Sequence, residues 1–333
     1  MLLQGIDRLP EETGAWTGPA PIRRAHGIVN PASGGVAPGA SAELASLLDE
    51  FGLDYEVSEL APGRFETTVR SAIDGRPDVV VVLGGDGTTR LVAEMCGPAG
   101  PLIAPLSGGT MNKLDHGLYG ARPWREALST ALAAGEARWV SGGEVDGRAF
   151  YCRAVLGSPA LWARAREAFR ARRFGRAQRH AAIAFRRAFR GRLAYVFDGE
   201  QIGRGLAIGF ISPTVSRAAD VEAALETAVI EISDLRAAAR LAVKNLIGDW
   251  RDDPDVTVRP CVRARVWARE PISAMLDGEY FRFGRGVEVR FRPRAFRVLA
   301  PPALEEAGEQ GQGSPLHRSA APSGPPPPHA EEE

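Results

Sequence analysis

Three short tracts hold the residue types best suited to chemistry: NPASGG (30–35), GGDGTT (84–89) and SGGTMN (107–112). Glycines beside small hydroxyl residues let backbone N–H groups turn outward, and at a helix start the dipole adds a pull on anions. Phosphate is the natural guest. GGDGTT lacks the Lys-Ser/Thr ending of a Walker loop and the spacing of a dinucleotide fingerprint, so neither common phosphate motif explains it. An aspartate, Asp86, stands inside this anion cradle. An acidic side chain inside an anion cradle needs a reason of its own. The tripeptide Asp-Gly-Glu occurs twice, at 198–200 and 277–279, each time between apolar runs where Asp-Gly is a hairpin turn.

The elements that must position these groups follow from the apolar pattern. The run Val79 to Leu83 has no polar alternation and reads as a strand covered on both faces. Leu91, Val92 and Met95 then recur at helical spacing, which predicts a helix from Thr89 with Thr88 or Thr89 as its cap. Strand signals at 25–30, 54–60 and 101–106 alternate with helix signals from Ser41, around 65–73 and near 123–135. The fold class expected is an α/β nucleotide-binding domain with a doubly wound parallel sheet, its ligands beyond the carboxyl ends of the strands. All three glycine tracts fall at that edge.

Beyond it the pattern changes to short strands with hairpin turns, near 226–232, 255–268, 272–277, 279–283 and 286–292. The expectation is a mostly antiparallel β-sandwich domain with helical insertions. In boundaries, this gives a flexible leader 1–22, a first domain 23–140 completed by 293–301, a second domain 141–292 with a basic helical insertion 160–192, and a disordered tail 303–333.

Composition narrows the setting. With 41 basic and 41 acidic residues, no global field selects nucleic acid or membrane. The local balance differs, since residues 164–192 carry eleven arginines against Glu167 alone, interleaved with phenylalanines. That stretch reads either as a peripheral contact to an anionic membrane or as a solvated helix face. Cys96, Cys152 and Cys261 are odd in number and widely spaced, which argues against a disulfide framework or a zinc site. No apolar run approaches 18 residues, and a cytoplasmic protein is expected, peripheral at most to the inner membrane surface.

Four motifs in order resemble the diacylglycerol-kinase-type lipid kinases, and more distantly the sphingosine kinases: NPASGG, GGDGTT, APLSGGTMN and the closing AMLDGEYFRFGRGVEVRFRPRAFRVLAP. The resemblance implies transfer of the ATP γ-phosphoryl group to a lipid hydroxyl with Mg²⁺. It assigns Asn30, Ser33 and Gly34 to a first nucleotide loop, and Gly84, Gly85, Asp86, Gly87, Thr88, Thr89 and Arg90 to a second. Gly109, Thr110, Asn112 and Lys113 form the third, and Ser58 and Glu59 stand near a further nucleotide contact. Glu279 is the implied proton acceptor, with Asp277 and Asp86 in the metal, water and hydroxyl network.

Two positions depart from the family pattern. Arg90 replaces an asparagine, and Lys113 replaces the aspartate after Asn112. The family's Asp-Asp-Gly segment is replaced by ISPTVSRAADVEAALE (211–226), so the metal ligands of the second domain stay unassigned. Two rival readings share these residues: NAD kinase, which also carries Gly-Gly-Asp-Gly, and a catalytically weakened nucleotide- or lipid-binding regulator. No nucleic-acid partner is expected, and no motif speaks to oligomeric state.

Overall fold

The computed structural model describes residues 22–157, 192–216, 223–231 and 250–301. Residues 1–21 of the leader, the tail 303–333 and nearly all of the arginine-rich insertion lie outside the described residues. The first part alternates as expected: β1 (Arg24–Val29), α1 (Ala40–Glu50), β2 (Asp54–Glu59), α2 (Phe65–Asp74), β3 (Val79–Gly84), α3 (Asp86–Cys96), β4 (Leu102–Ser107), α4 (Lys113–Tyr119) and α5 (Trp124–Ala134). The four strands pair in parallel in the order β2-β1-β3-β4. The valines of β3 are wholly buried because the strand lies inside the sheet with helices against it. In α1, Leu44, Leu47 and Leu48 supply the buried stripe.

The remaining strands are β5 (Glu136–Val145), β6 (Arg148–Phe150), β7 (Arg153–Gly157), β8 (Leu193–Phe197), β9 (Gly203–Gly205), β10 (Ala207–Ile211), β11 (Leu225–Ile230), β12 (Val256–Cys261), β13 (Arg263–Trp267), β14 (Ser273–Leu276), β15 (Glu279–Arg282) and β16 (Gly286–Ala300). A separate antiparallel sheet runs β12-β11-β10-β7-β14-β15, while β16, β13, β8 and β9 extend the parallel strands into one mixed sheet. The mixed sheet with helices, joined by an antiparallel sheet, is the coarse architecture that the sequence suggested.

Two details differ from expectation. The stretch 255–268 is two strands in two sheets, broken at Val262, whose N–H donates to Asp198 Oδ1 at 3.1 Å. And β16 is continuous across what the pattern split at 292. Residues 286–290 pair with β13, residues 289–300 run against β5, and Val298 reaches β4 in parallel. The register against β5 shifts between Arg292 and Phe296, where Pro293 has no N–H to donate. Val287 and Val289 enter one hydrophobic core and Phe296, Val298 and Leu299 the other, so this strand couples the two.

Candidate active site

The three glycine tracts leave neighbouring strands at the same edge, and β3 stands between β1 and β4. Their backbones are in contact. The Gly35 N–H donates to Gly108 O at 2.9 Å, the Gly108 N–H donates to Gly84 O at 2.8 Å, and Gly85 N–H donates to Ser33 Oγ at 3.2 Å. Glycine is required at the crossing itself: a Cβ on Gly109 would lie 2.6 Å from Gly85 Cα, and one on Gly108 2.8 Å from Gly84 N. Gly34, by contrast, faces open space.

Asn30 is buried, and its Nδ2 donates to Thr88 Oγ1 at 2.8 Å, tying the first tract to the second. Asn112 adopts a left-handed conformation (φ 46°), which asparagine tolerates, and closes its own tract by accepting from Gly109 N–H and donating to Gly109 O. Thr110 is exposed at the tip. Ser58 and Glu59 face other partners, His26 Nε2 at 3.0 Å and Ser41 Oγ at 2.5 Å.

Helix α3 starts three residues earlier than the periodicity predicted. Gly85 is its N-cap without a side-chain cap, Asp86 is its first residue, and Thr88 and Thr89 are buried inside the first turn. The threonines do not cap because they already lie within the helix, and Thr88 Oγ1 accepts from Asn30. The early start gives Asp86 a task that the sequence did not reveal. Its Oδ1 accepts the Lys113 N–H at 2.8 Å, satisfying a donor in the first turn of α4, while Oδ2 accepts from no described residue.

Asp277 belongs to the opposite sheet. Asp146-Gly147, Asp198-Gly199 and Asp277-Gly278 all have positive φ at both positions, the geometry of tight hairpin turns. Each aspartate also accepts backbone N–H groups from an adjoining strand or loop. Asp277 takes three, from Tyr151 (2.7 Å), Cys152 (2.9 Å) and Arg153 (2.8 Å). Both oxygens accept from the backbone of residues 151–153, so the aspartate expected in the metal, water and hydroxyl network also clamps its own turn, as Asp198 does.

What this clamp positions is Glu279, two residues on. Its Oε1 would lie 3.5 Å from a Cβ on Gly87, and its Oε2 accepts from Arg90 Nη2 at 2.6 Å. The signature tract and the distant Asp-Gly-Glu tract are thus side by side, although Arg90 and Glu279 are 189 residues apart in sequence. Cys152 sits among them. Burial pushes its thiol well up, assisted by Asp277 and Asp86 and opposed by Lys113 and Arg153.

Asp115, in the first turn of α4, was not singled out by sequence. It is buried, accepts from Ser107 Oγ, and burial lifts its carboxyl to about 6, with Asp86 adding to the rise. A raised carboxyl favours the protonated folded state, so its contribution is full at low pH and is lost as pH climbs from the unfolded value to about 6. Asp115→Asn is expected to remove that loss. The unfolding free energy of wild type from urea titrations should fall relative to the variant between about pH 4 and 6, by on the order of 1–3 kcal/mol, and stay parallel above. Parallel curves throughout would refute the assignment.

Residues 24–145 match the family model of the diacylglycerol kinase catalytic domain. No curated protein matches the sequence. Among solved structures, a diacylglycerol kinase from Bacillus anthracis is similar at TM-score 0.62 and 15% identity, covering 85% of this chain and 99% of that one. A second structure from that organism, provisionally named a diacylglycerol kinase, gives TM-score 0.63 at 16% identity over 85% and 99% of the two chains. At such identities the likeness is one of fold.

Proposed function

We propose, from the match of residues 24–145 to the diacylglycerol kinase catalytic domain model, that the protein is a lipid kinase moving the ATP γ-phosphoryl group to a lipid hydroxyl, diacylglycerol or a related lipid. One observation carries the reading: Glu279 is brought to Gly87 and Arg90 of the glycine-loop signature. Phosphoryl transfer needs positioning and charge stabilisation more than covalent participation. The glycine crossing would seat the ATP phosphates, with Ser33, Gly34 and Thr110 along its rim. Glu279 Oε1 would take the proton of the attacking hydroxyl as its oxygen bonds to phosphorus and ADP departs.

Mg²⁺ takes one or two carboxylates and completes its shell with phosphate oxygens and water. Asp86 Oδ2, without a partner among the described residues, fits that demand, and the metal would supply neutralisation of phosphate charge. The helix pairings, α1 with α5 and α2 with α3, support the doubly wound reading of the first domain. A cytoplasmic setting with peripheral membrane contact through residues 164–192 belongs to the same proposal. Cosedimentation with anionic vesicles tests that contact, and equal binding after Arg172, Arg173, Arg186 and Arg187 become Gln would end it. Among the described residues no helix is long and apolar enough to cross a membrane.

The enzymatic test is incubation with labelled ATP, Mg²⁺ and a lipid panel, with NAD as a competing acceptor. Label is expected in a lipid and to fall at least ~100-fold in Glu279→Gln. Label in NAD would select the NAD kinase reading, and no label in any acceptor would leave the regulator.

A further inference from the structure

We infer that Arg90 is the positioning residue for Glu279, a task distinct from nucleotide contact. Arg90 follows Asp86 by four residues and precedes Glu94 by four, so the three lie along one face of α3. Its guanidinium forks: Nη1 donates to Glu94 Oε2 at 3.1 Å and Nη2 to Glu279 Oε2 at 2.6 Å. The arginine side chain is only 14% exposed whereas that of Glu279 is 47% exposed, so the fixed partner is the arginine and the mobile one the glutamate.

The fork divides the labour of the carboxylate. Oε2 is held by Arg90, and Oε1, with no partner among the described residues, is turned toward Gly87 at the start of α3. A half-exposed glutamate at the first position of β15 would otherwise sweep several rotamers, and Asp277 fixes only the turn before it. An asparagine at position 90 could not reach two carboxylates with charge, so the departure noted in sequence gives this chain a built anchor for Glu279. Lysine could engage one glutamate but not both, lacking the planar fork.

This inference rests on the lipid-kinase reading for its kinetic arm, but its structural arm does not. In urea unfolding of the full chain, the losses in unfolding free energy of Arg90→Ala and Glu279→Ala should not add in the double variant, because either one already removes the pair. Additive losses would overturn the pairing whether or not the protein is a kinase. In lipid phosphorylation, Arg90→Ala should lower kcat roughly 10- to 100-fold with KM for ATP changed less than about 2-fold. Arg90→Lys should recover part of kcat, and in a Glu279→Gln background Arg90→Ala should cost less than about 2-fold more. A rise in KM for ATP at unchanged kcat would make Arg90 a nucleotide contact instead. Wild type without lipid turnover, together with a non-additive unfolding cycle, would sink the kinase reading and leave the pairing standing.

Discussion

Asp86→Asn is expected to cut lipid phosphorylation by at least ~100-fold while the protein stays folded and still binds ATP within a few-fold of wild type. The separation is possible because the two carboxylate oxygens have different tasks. Oδ1 accepts the Lys113 N–H at the start of α4, and an asparagine carbonyl can do the same. The charge on the other oxygen cannot be replaced by an amide, and that charge is what a metal-water shell or a hydroxyl proton needs. Asp86→Ala removes both tasks and should cost a further ~1 kcal/mol of stability, the usual toll for an orphaned helix-end donor. Thermal melts beside initial rates would read the two effects. An asparagine variant with full turnover would reduce Asp86 to a structural cap.

Gly109→Ala should have the second largest effect, and on a different parameter. The new methyl would sit 2.6 Å from Gly85 Cα and 2.9 Å from Asn112 Oδ1. Backbone cannot yield as a flexible side chain does, so the second and third tracts must part. Overpacking of this kind costs about 1–3 kcal/mol, and the parted loops should raise KM for ATP at least ~10-fold. Gly34→Ala is the control for folding, since its methyl would meet no protein atom within 4 Å. A Gly109→Ala enzyme with wild-type affinity for ATP would show that the crossing does not seat the nucleotide.

The parts of this site legible in sequence were those with local signals. The β3 valines, the glycine tracts and the turn residues Asp277 and Gly278 each announce their conformation through a neighbour or two. The tracts converge because parallel strands place their carboxyl ends together, which strand-helix alternation already implied. Long-range commitments of side chains were not legible. Nothing beside Asp277 in sequence says that residues 151–153 will fill its oxygens, and nothing beside Asp86 says that α4 will begin against it. Two Asp-Gly-Glu tracts that look alike locally differ in the partner of the glutamate: Arg259 for Glu200 at 3.0 Å, Arg90 for Glu279. Helix α4 itself is only seven residues long, too short for periodicity to register.

The central claim is that the crossing of three glycine tracts and Glu279, contributed by the antiparallel sheet, form one phosphoryl-transfer site. A crystal structure of the full chain with Mg²⁺ and a non-hydrolysable ATP analogue tests it most directly. The expected result is the terminal phosphate over Gly85 and Gly109, with Glu279 Oε1 facing the side from which a hydroxyl would approach. Terminal phosphate seated away from that crossing, or pointing away from Glu279, would contradict the claim.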